Sequence, residues 1–268
     1  MLLCVFILQL LVSLLNTILI QIFLMRKLYI LQHIDREGPS LFLTVANEIG
    51  IDTRILRVDK GDLIPPLNNE TCLLFLGGPM GINDLENDNY PWLNYELKII
   101  KECLNASIPM IGVCLGAQLI AYAAGGGITQ VKFGDPPIPR SEIGWSEITF
   151  NVPSYMSHSP FNSYKYLNVL HWHKDRILLP KESILLASSK KCKEQFFLLP
   201  NNVYGLQFHV ETLESDFLRW LEEDIQFLEK EYGSEAKSIL LSNNNRYLNT
   251  NKKQRISFIR TLLKLACF

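Results

Sequence analysis

The 268-residue chain lacks an excess of charge of either sign: 26 basic residues against 27 acidic ones leave −1. A surface built to neutralise many phosphates needs a basic excess, so nucleic acid is not expected as the main partner. Closely spaced cysteines are lacking too. The six stand at 4, 72, 103, 114, 192 and 267, none in a C-x-x-C pair, which argues against a zinc ribbon or a dithiol redox site. A chain of this size does not need disulfides, and their absence fits a reducing cytoplasm. Glycine (15) and proline (13) are too few for a fibrous or low-complexity chain, and 48% hydrophobic residues exclude a disordered one. There is also no S-G-G-x-D-S-type loop and no Walker loop, so the chain has no nucleotide-activating loop of its own.

Charge is wholly absent from Met1 to Met25. About 20 apolar residues cross a bilayer, so length permits a transmembrane helix, although Gln9, Ser13, Asn16, Thr17 and Gln21 weaken it. A secretory signal fits less well, because there is no basic n-region and no small-x-small cleavage site. A third reading takes 1–25 as an upstream stretch, with the domain starting at its own Met25. An anchor followed by Arg26 and Lys27 would keep the rest of the chain in the cytoplasm, and a cytoplasmic location is expected throughout. The membrane enters only if residues 1–24 are made and retained.

From 26 onward, short apolar runs alternate with helical patterns. Strands are expected at 28–33, 55–58, 72–76, 110–113, 128–133, 145–150, 167–172, 184–187, 195–199 and 203–208. Helices are expected at 40–48, 92–103, 116–124 and 215–231, with two more towards the C-terminus. Early strands separated by helices predict an α/β fold, a mostly parallel sheet with helices on both faces. The crowded later strands predict an antiparallel addition to it.

Three segments carry chemistry. In Gly112-Val113-Cys114-Leu115-Gly116 an apolar strand runs into a helix through G-x-nucleophile-x-G. Such a turn exposes the Cys114 sulfur at a helix N-terminus, where the dipole favours the thiolate, and offers the Leu115 N–H to an oxyanion. The plain alternative is a buried structural cysteine. The second segment is a strand ending His209-Val210-Glu211. Side chains two apart on a strand point the same way, so Glu211 can orient the imidazole that takes the Cys114 proton. A strand-end histidine beside a solvated glutamate would look the same. The third is Gly77-Gly78-Pro79 after the third expected strand, at the edge where such sheets bind ligands; its alternative is an ordinary turn.

Together, G-V-C-L-G-A-Q around Cys114, G-L-Q-F-H-V-E around His209 and the Gly77-Gly78-Pro79 loop resemble the class I glutamine amidotransferases, in particular their stand-alone, GMP-synthase-like branch. Leu31-Gln-His33, Glu37-Gly-Pro39, Asn89-Tyr-Pro-Trp92, Glu142-Ile-Gly-Trp145 and His171-Trp-His173-Lys-Asp175 extend the likeness over 26–212, the expected catalytic domain, with 213–268 a helical tail packed on or beside it. The resemblance implies a flavodoxin-like domain and a Cys114–His209–Glu211 triad that hydrolyses glutamine through a thioester, without a cofactor. It implies an oxyanion hole of Gly78 and Leu115, and substrate contacts from Gly77, Gln118, His173 and Asp175. Ammonia would pass to a separate synthetase subunit. Two departures stand out: Val210 replaces the family's usual proline, and Lys174 stands where glycine is common. Lys174 and Arg176 could hold a second carboxylate, which keeps a γ-glutamyl peptide hydrolase in play. A non-catalytic binding protein on the same fold is the third reading. His171-x-His173 shows no third ligand in sequence, so no metal is expected.

Overall fold

A computed structural model describes residues 26–268; the stretch 1–25, and with it the anchor, signal and upstream readings, lies outside the described residues. The chain runs β1 (Lys27–Gln32), α1 (Ser40–Glu48), β2 (Thr53–Arg57), β3 (Thr71–Phe75), α2 (Trp92–Ala106), β4 (Met110–Val113), α3 (Leu115–Ala123), β5 (Gly127–Gln130), β6 (Lys132–Phe133) and β7 (Ile138–Pro139). It continues through β8 (Glu142–Phe150), β9 (Tyr166–His173), β10 (Asp175–Leu178), β11 (Ile184–Ser189), β12 (Phe196–Leu199) and β13 (Val203–Leu206) to α4 (Glu214–Glu223), α5 (Ile225–Tyr232), α6 (Ala236–Tyr247) and α7 (Lys252–Cys267). Among the described residues no helix is long and apolar enough to cross a membrane.

Alternation along the central strands divides the core between two faces. Leu28 and Ile30 of β1, with Cys72 and Leu74 of β3, pack under α1 and α7. Leu31 of β1, with Leu73 and Phe75 of β3, packs under α2 and α3. A strand apolar on both faces can sit only between layers, which is why these runs form parallel strands covered on both sides. The sheet order is β2-β1-β3-β4-β13-β12-β11-β8-β9. From β2 to β13 neighbours are parallel; from β13 to β9 they are antiparallel. The mostly parallel sheet with an antiparallel addition is therefore as expected.

Two elements differ from expectation. The strand expected over 128–133 breaks at Val131, and β5 leaves the main sheet to pair with β10, a strand not foreseen. Val131 is fully buried and its N–H donates to the Lys174 carbonyl, so the chain turns there to bring this ribbon over the sheet edge. The helix expected over 215–231 is two, divided at Asp224, whose φ of −101° and ψ of 12° depart from helical values although its N–H still donates to the Trp220 carbonyl at 2.9 Å. The turn aims its carboxylate inward, where it accepts from Arg36 Nη1 at 2.8 Å and Trp172 Nε1 at 2.9 Å.

The last helix supports the site-bearing strand. Arg255 of α7 is fully buried and donates to the carbonyls of Val210 (3.1 Å), Thr212 (2.7 Å) and Leu248 (3.2 Å), its guanidinium lying over Trp145. Burial lowers its pKa to about 10, so it stays charged at neutral pH. Replacing Arg255 with Met strands three buried acceptors. The expected loss is about 3 kcal/mol or more of stability, read from denaturant unfolding; an unchanged midpoint would show that these bonds do not hold the segment.

Candidate active site

The parallel strands deliver their carboxyl ends to one edge, and each continues into one piece of the site. His33 follows β1, Gly77 and Gly78 follow β3, Cys114 follows β4, and His209 follows β13. Cys114 has φ 49° and ψ −105°, the strained turn expected of an elbow. The flanking glycines are required by space: a Cβ on Gly112 would meet the Ala117 nitrogen, and one on Gly116 would meet the Phe75 carbonyl. The tight turn leaves the sulfur at the first turn of α3, with Cys114 only 7% exposed.

His209 and Glu211 meet as their spacing predicts: His209 Nδ1 lies 2.8 Å from Glu211 Oε1. The imidazole packs edge-on against Trp220 at 4.7 Å and is buried. Burial opposes charge on this ring. The Glu211 carboxylate and hydrogen bonds to Cys114 and Glu211 outweigh it, holding the His209 pKa well above its ordinary value. Val210, in the place of the usual proline, is buried in the core beneath α1 and α7. The N–H groups of Gly78 and Leu115 donate to no acceptor among the described residues.

These groups border a cavity of about 210 Å³, lined among others by Gly78, Cys114, Gln118, His173, Asp175 and His209. Gly77 backs it: a Cβ there would meet Glu37, His209 and Cys114. Lys174 also reaches the cavity, but Arg176 does not. It makes a bidentate pair with Glu194, at 2.6 and 3.0 Å, so the expected role for Arg176 in holding a second carboxylate is withdrawn.

Several site residues had no role in the sequence reading. Gln207 donates to Cys114 Sγ at 3.7 Å and accepts from Gln118 Nε2 at 3.3 Å, joining strand and helix beneath the cavity. Glu37 lines the cavity, and burial raises its pKa against the pull of His209. Both stood in motifs quoted for the resemblance, but nothing local marks them as facing the sulfur.

The statement that His171 and His173 lack a third ligand-type partner is corrected by the fold. Antiparallel pairing sets Glu142 opposite His173, and the three side chains bring ligand-type atoms within 4.8 Å of one another, all buried. Glu142 Oε2 accepts from Gln195 Nε2 at 2.8 Å and stands 3.3 Å from His173 Nε2, while His173 Nδ1 bonds the Asp175 carbonyl at 2.9 Å. These contacts make the cluster an internal polar network that fixes His173 at the cavity wall. Burial works against charge on Glu142, but His171 and His173 hold its carboxyl at about 2. Burial lowers His171 from 6.5 to about 4. Between those values the unfolded chain binds a proton at His171 that the folded chain refuses, so stability falls with acid across pH 6.5 to 4. The melting temperature of the native protein is expected to drop over that window by roughly 5 °C more than that of His171→Gln. Parallel curves would contradict it.

Comparison with known proteins agrees with this layout. The family model "Glutamine amidotransferase class-I" matches residues 41–227. A glutamine amidotransferase-like protein of Salmonella typhimurium, YfeJ, is 30% identical over 193 residues, 70% of this chain and 77% of its own. A glutamine-hydrolyzing GMP synthase subunit of Saccharolobus solfataricus is 27% identical over 180 residues, 66% of this chain and 85% of its own. Of the longer GMP synthases that it matches, the chain spans about a quarter. A glutamine amidotransferase from Thermotoga maritima has a crystal structure that superposes with a TM-score of 0.75 at 27% identity, covering 90% of this chain and 98% of its own. The sheet that carries these segments thus has its counterpart in one flavodoxin-like family, and the chain belongs to the class I glutamine amidotransferases.

Proposed function

We propose that the protein hydrolyses the side-chain amide of glutamine through a Cys114–His209–Glu211 triad, with 26–212 the amidotransferase domain and 213–268 a helical tail that covers it. The observation that carries this reading is one constellation: Cys114 on a strained elbow, facing an imidazole that Glu211 holds at 2.8 Å, at the edge of a cavity.

The Cys114 thiolate, paired with the His209 imidazolium, attacks the amide carbon. The N–H groups of Gly78 and Leu115 take the oxyanion. As the intermediate collapses, His209 protonates the departing ammonia and leaves a thioester. Water, giving its proton to His209, then hydrolyses the thioester to glutamate through a second oxyanion. Gly77, Gln118, His173 and Asp175 contact the substrate. No step calls for a cofactor or metal. The chain has no nucleotide-activating loop, and its relatives include a separate glutamine-hydrolyzing GMP synthase subunit, so ammonia passes to a separate synthetase subunit in this reading.

A γ-glutamyl peptide is the second substrate class, favoured by Lys174, a cation that lines the cavity. The test is glutamate and ammonia release from glutamine, beside a panel of γ-glutamyl dipeptides. Turnover of glutamine supports the glutaminase; turnover of dipeptides alone makes the protein a γ-glutamyl hydrolase. Silence on both, with a Cys114 no more reactive than the other cysteines, leaves a binding protein on the amidotransferase fold.

A further inference from the structure

An oxyanion hole built on Gly77-Gly78 has an intrinsic weakness. With no Cβ on either side of the peptide between them, that peptide can rotate at little steric cost. A flipped peptide would point the Gly77 carbonyl at the developing negative charge and remove the Gly78 N–H from it. Something must therefore choose the orientation.

The structure has one group placed to do so. His33, 2% exposed at the end of β1, stacks flat on Trp92 with centroids 5.0 Å apart and planes 3° from parallel. Its Nδ1 lies 2.9 Å from the Gly77 carbonyl oxygen, and its Nε2 lies 3.0 Å from Oε1 of the fully buried Glu96 on α2. A carbonyl only accepts, so Nδ1 carries the proton and donates it. Glu96 Oε2 has no partner among the described residues, so the carboxylate spends its hydrogen bonding on this ring. No other donor reaches the Gly77 carbonyl among the described residues. The peptide is trans, so its carbonyl and N–H point to opposite sides. With the carbonyl held at His33, the Gly78 N–H faces away from it; that N–H donates to no described acceptor, and Gly78 borders the cavity together with Cys114.

We propose that His33, clamped between Glu96 and Trp92, is a positioning residue that keeps the Gly77–Gly78 peptide in the orientation an oxyanion needs, so that the hole stands formed in the lone chain and hydrolysis waits for no partner protein to form it. This rests on the hydrolase reading above and adds how that site is regulated. Burial opposes charge on His33, but Glu96 and the Gly77 carbonyl outweigh it and raise its pKa.

The experiment uses the lone protein, glutamine and γ-glutamyl dipeptides as substrates, and iodoacetamide as a second probe. Alkylation by iodoacetamide needs the Cys114 thiolate but builds no oxyanion. In His33→Phe/Glu96→Met the ring stack stays and the polar pair goes. Its kcat is expected to fall about 10²- to 10³-fold, the cost of one oxyanion donor, with KM and the alkylation rate each within a few-fold of native. His33→Asn, whose amide can still reach the Gly77 carbonyl, should recover most of the loss. A double variant that keeps native kcat overturns the proposal, as does one in which kcat and alkylation fall together, since His33 would then only support the fold. A native chain that hydrolyses neither substrate class also overturns it. Rapid, selective alkylation of Cys114 would then spare the hydrolase reading, and its absence would take that reading down too.

Discussion

Cys114→Ala is expected to bring amide hydrolysis down to background, a loss of at least about 10⁴-fold, because among the described residues no other cysteine lines the cavity to form the acyl intermediate. The fold should survive. Alanine keeps the Cβ, bears the same positive φ, and removes one sulfur that is only 7% exposed. Mass spectrometry supplies the companion result: brief iodoacetamide treatment should label native protein once, at Cys114. The other described thiols are poor competitors. Burial pushes Cys103 and Cys192 up to about 12, and contact with Cys267, added to burial, raises Cys72 well above its usual value. Reactivity follows the thiolate, so those sites stay silent. Activity that persists in Cys114→Ala, or first labelling elsewhere, would sink the triad.

Glu211→Gln should lower kcat by about 10²- to 10⁴-fold while leaving the shape of the site intact. It also changes the pH profile, and in one direction. Glu211 is the largest influence raising His209, against a burial that lowers it. With a neutral amide in its place the imidazolium gives up its proton at lower pH, so the alkaline limb of kcat moves down. Stability follows the same linkage. A histidine whose folded pKa is raised contributes fully below its unfolded value of 6.5 and loses that contribution as pH rises through the folded value. Native protein should therefore lose stability towards alkaline pH, and Glu211→Gln should lose less. An unmoved alkaline limb would mean that another group sets it, and that Glu211 does not act through His209.

The triad segments were legible because each is local. A strand, a glycine-flanked turn and a helix lie together around Cys114, and a period-2 relation ties His209 to Glu211, so neither needs knowledge of the rest of the chain. The mostly parallel sheet was legible for a similar reason, since strands apolar on both faces have few other places to go. The division of the helix at Asp224 was not legible. Nothing in that segment's own periodicity breaks it; the cause is Arg36 and Trp172, far away in sequence, which receive its carboxylate. Glu142 beside His173 escaped notice because the pairing of β8 with β9 sets it there, across an intervening loop. Arg255 stands in the charged run Lys252-Lys253-Gln254-Arg255, yet it is buried against the segment after β13 that carries Glu211.

By itself, then, the sequence determined which kind of sheet forms and which candidate residues its local segments set at the edge, because those depend on spacing within a few residues and on apolar alternation. The tertiary structure alone decided what surrounds the sulfur. Glu37, Gln207, Trp220, the Glu142 network and the His33–Glu96 clamp come from separate strands and helices. Their place is set by which strands become neighbours, and pairing between distant segments leaves no local mark on either one.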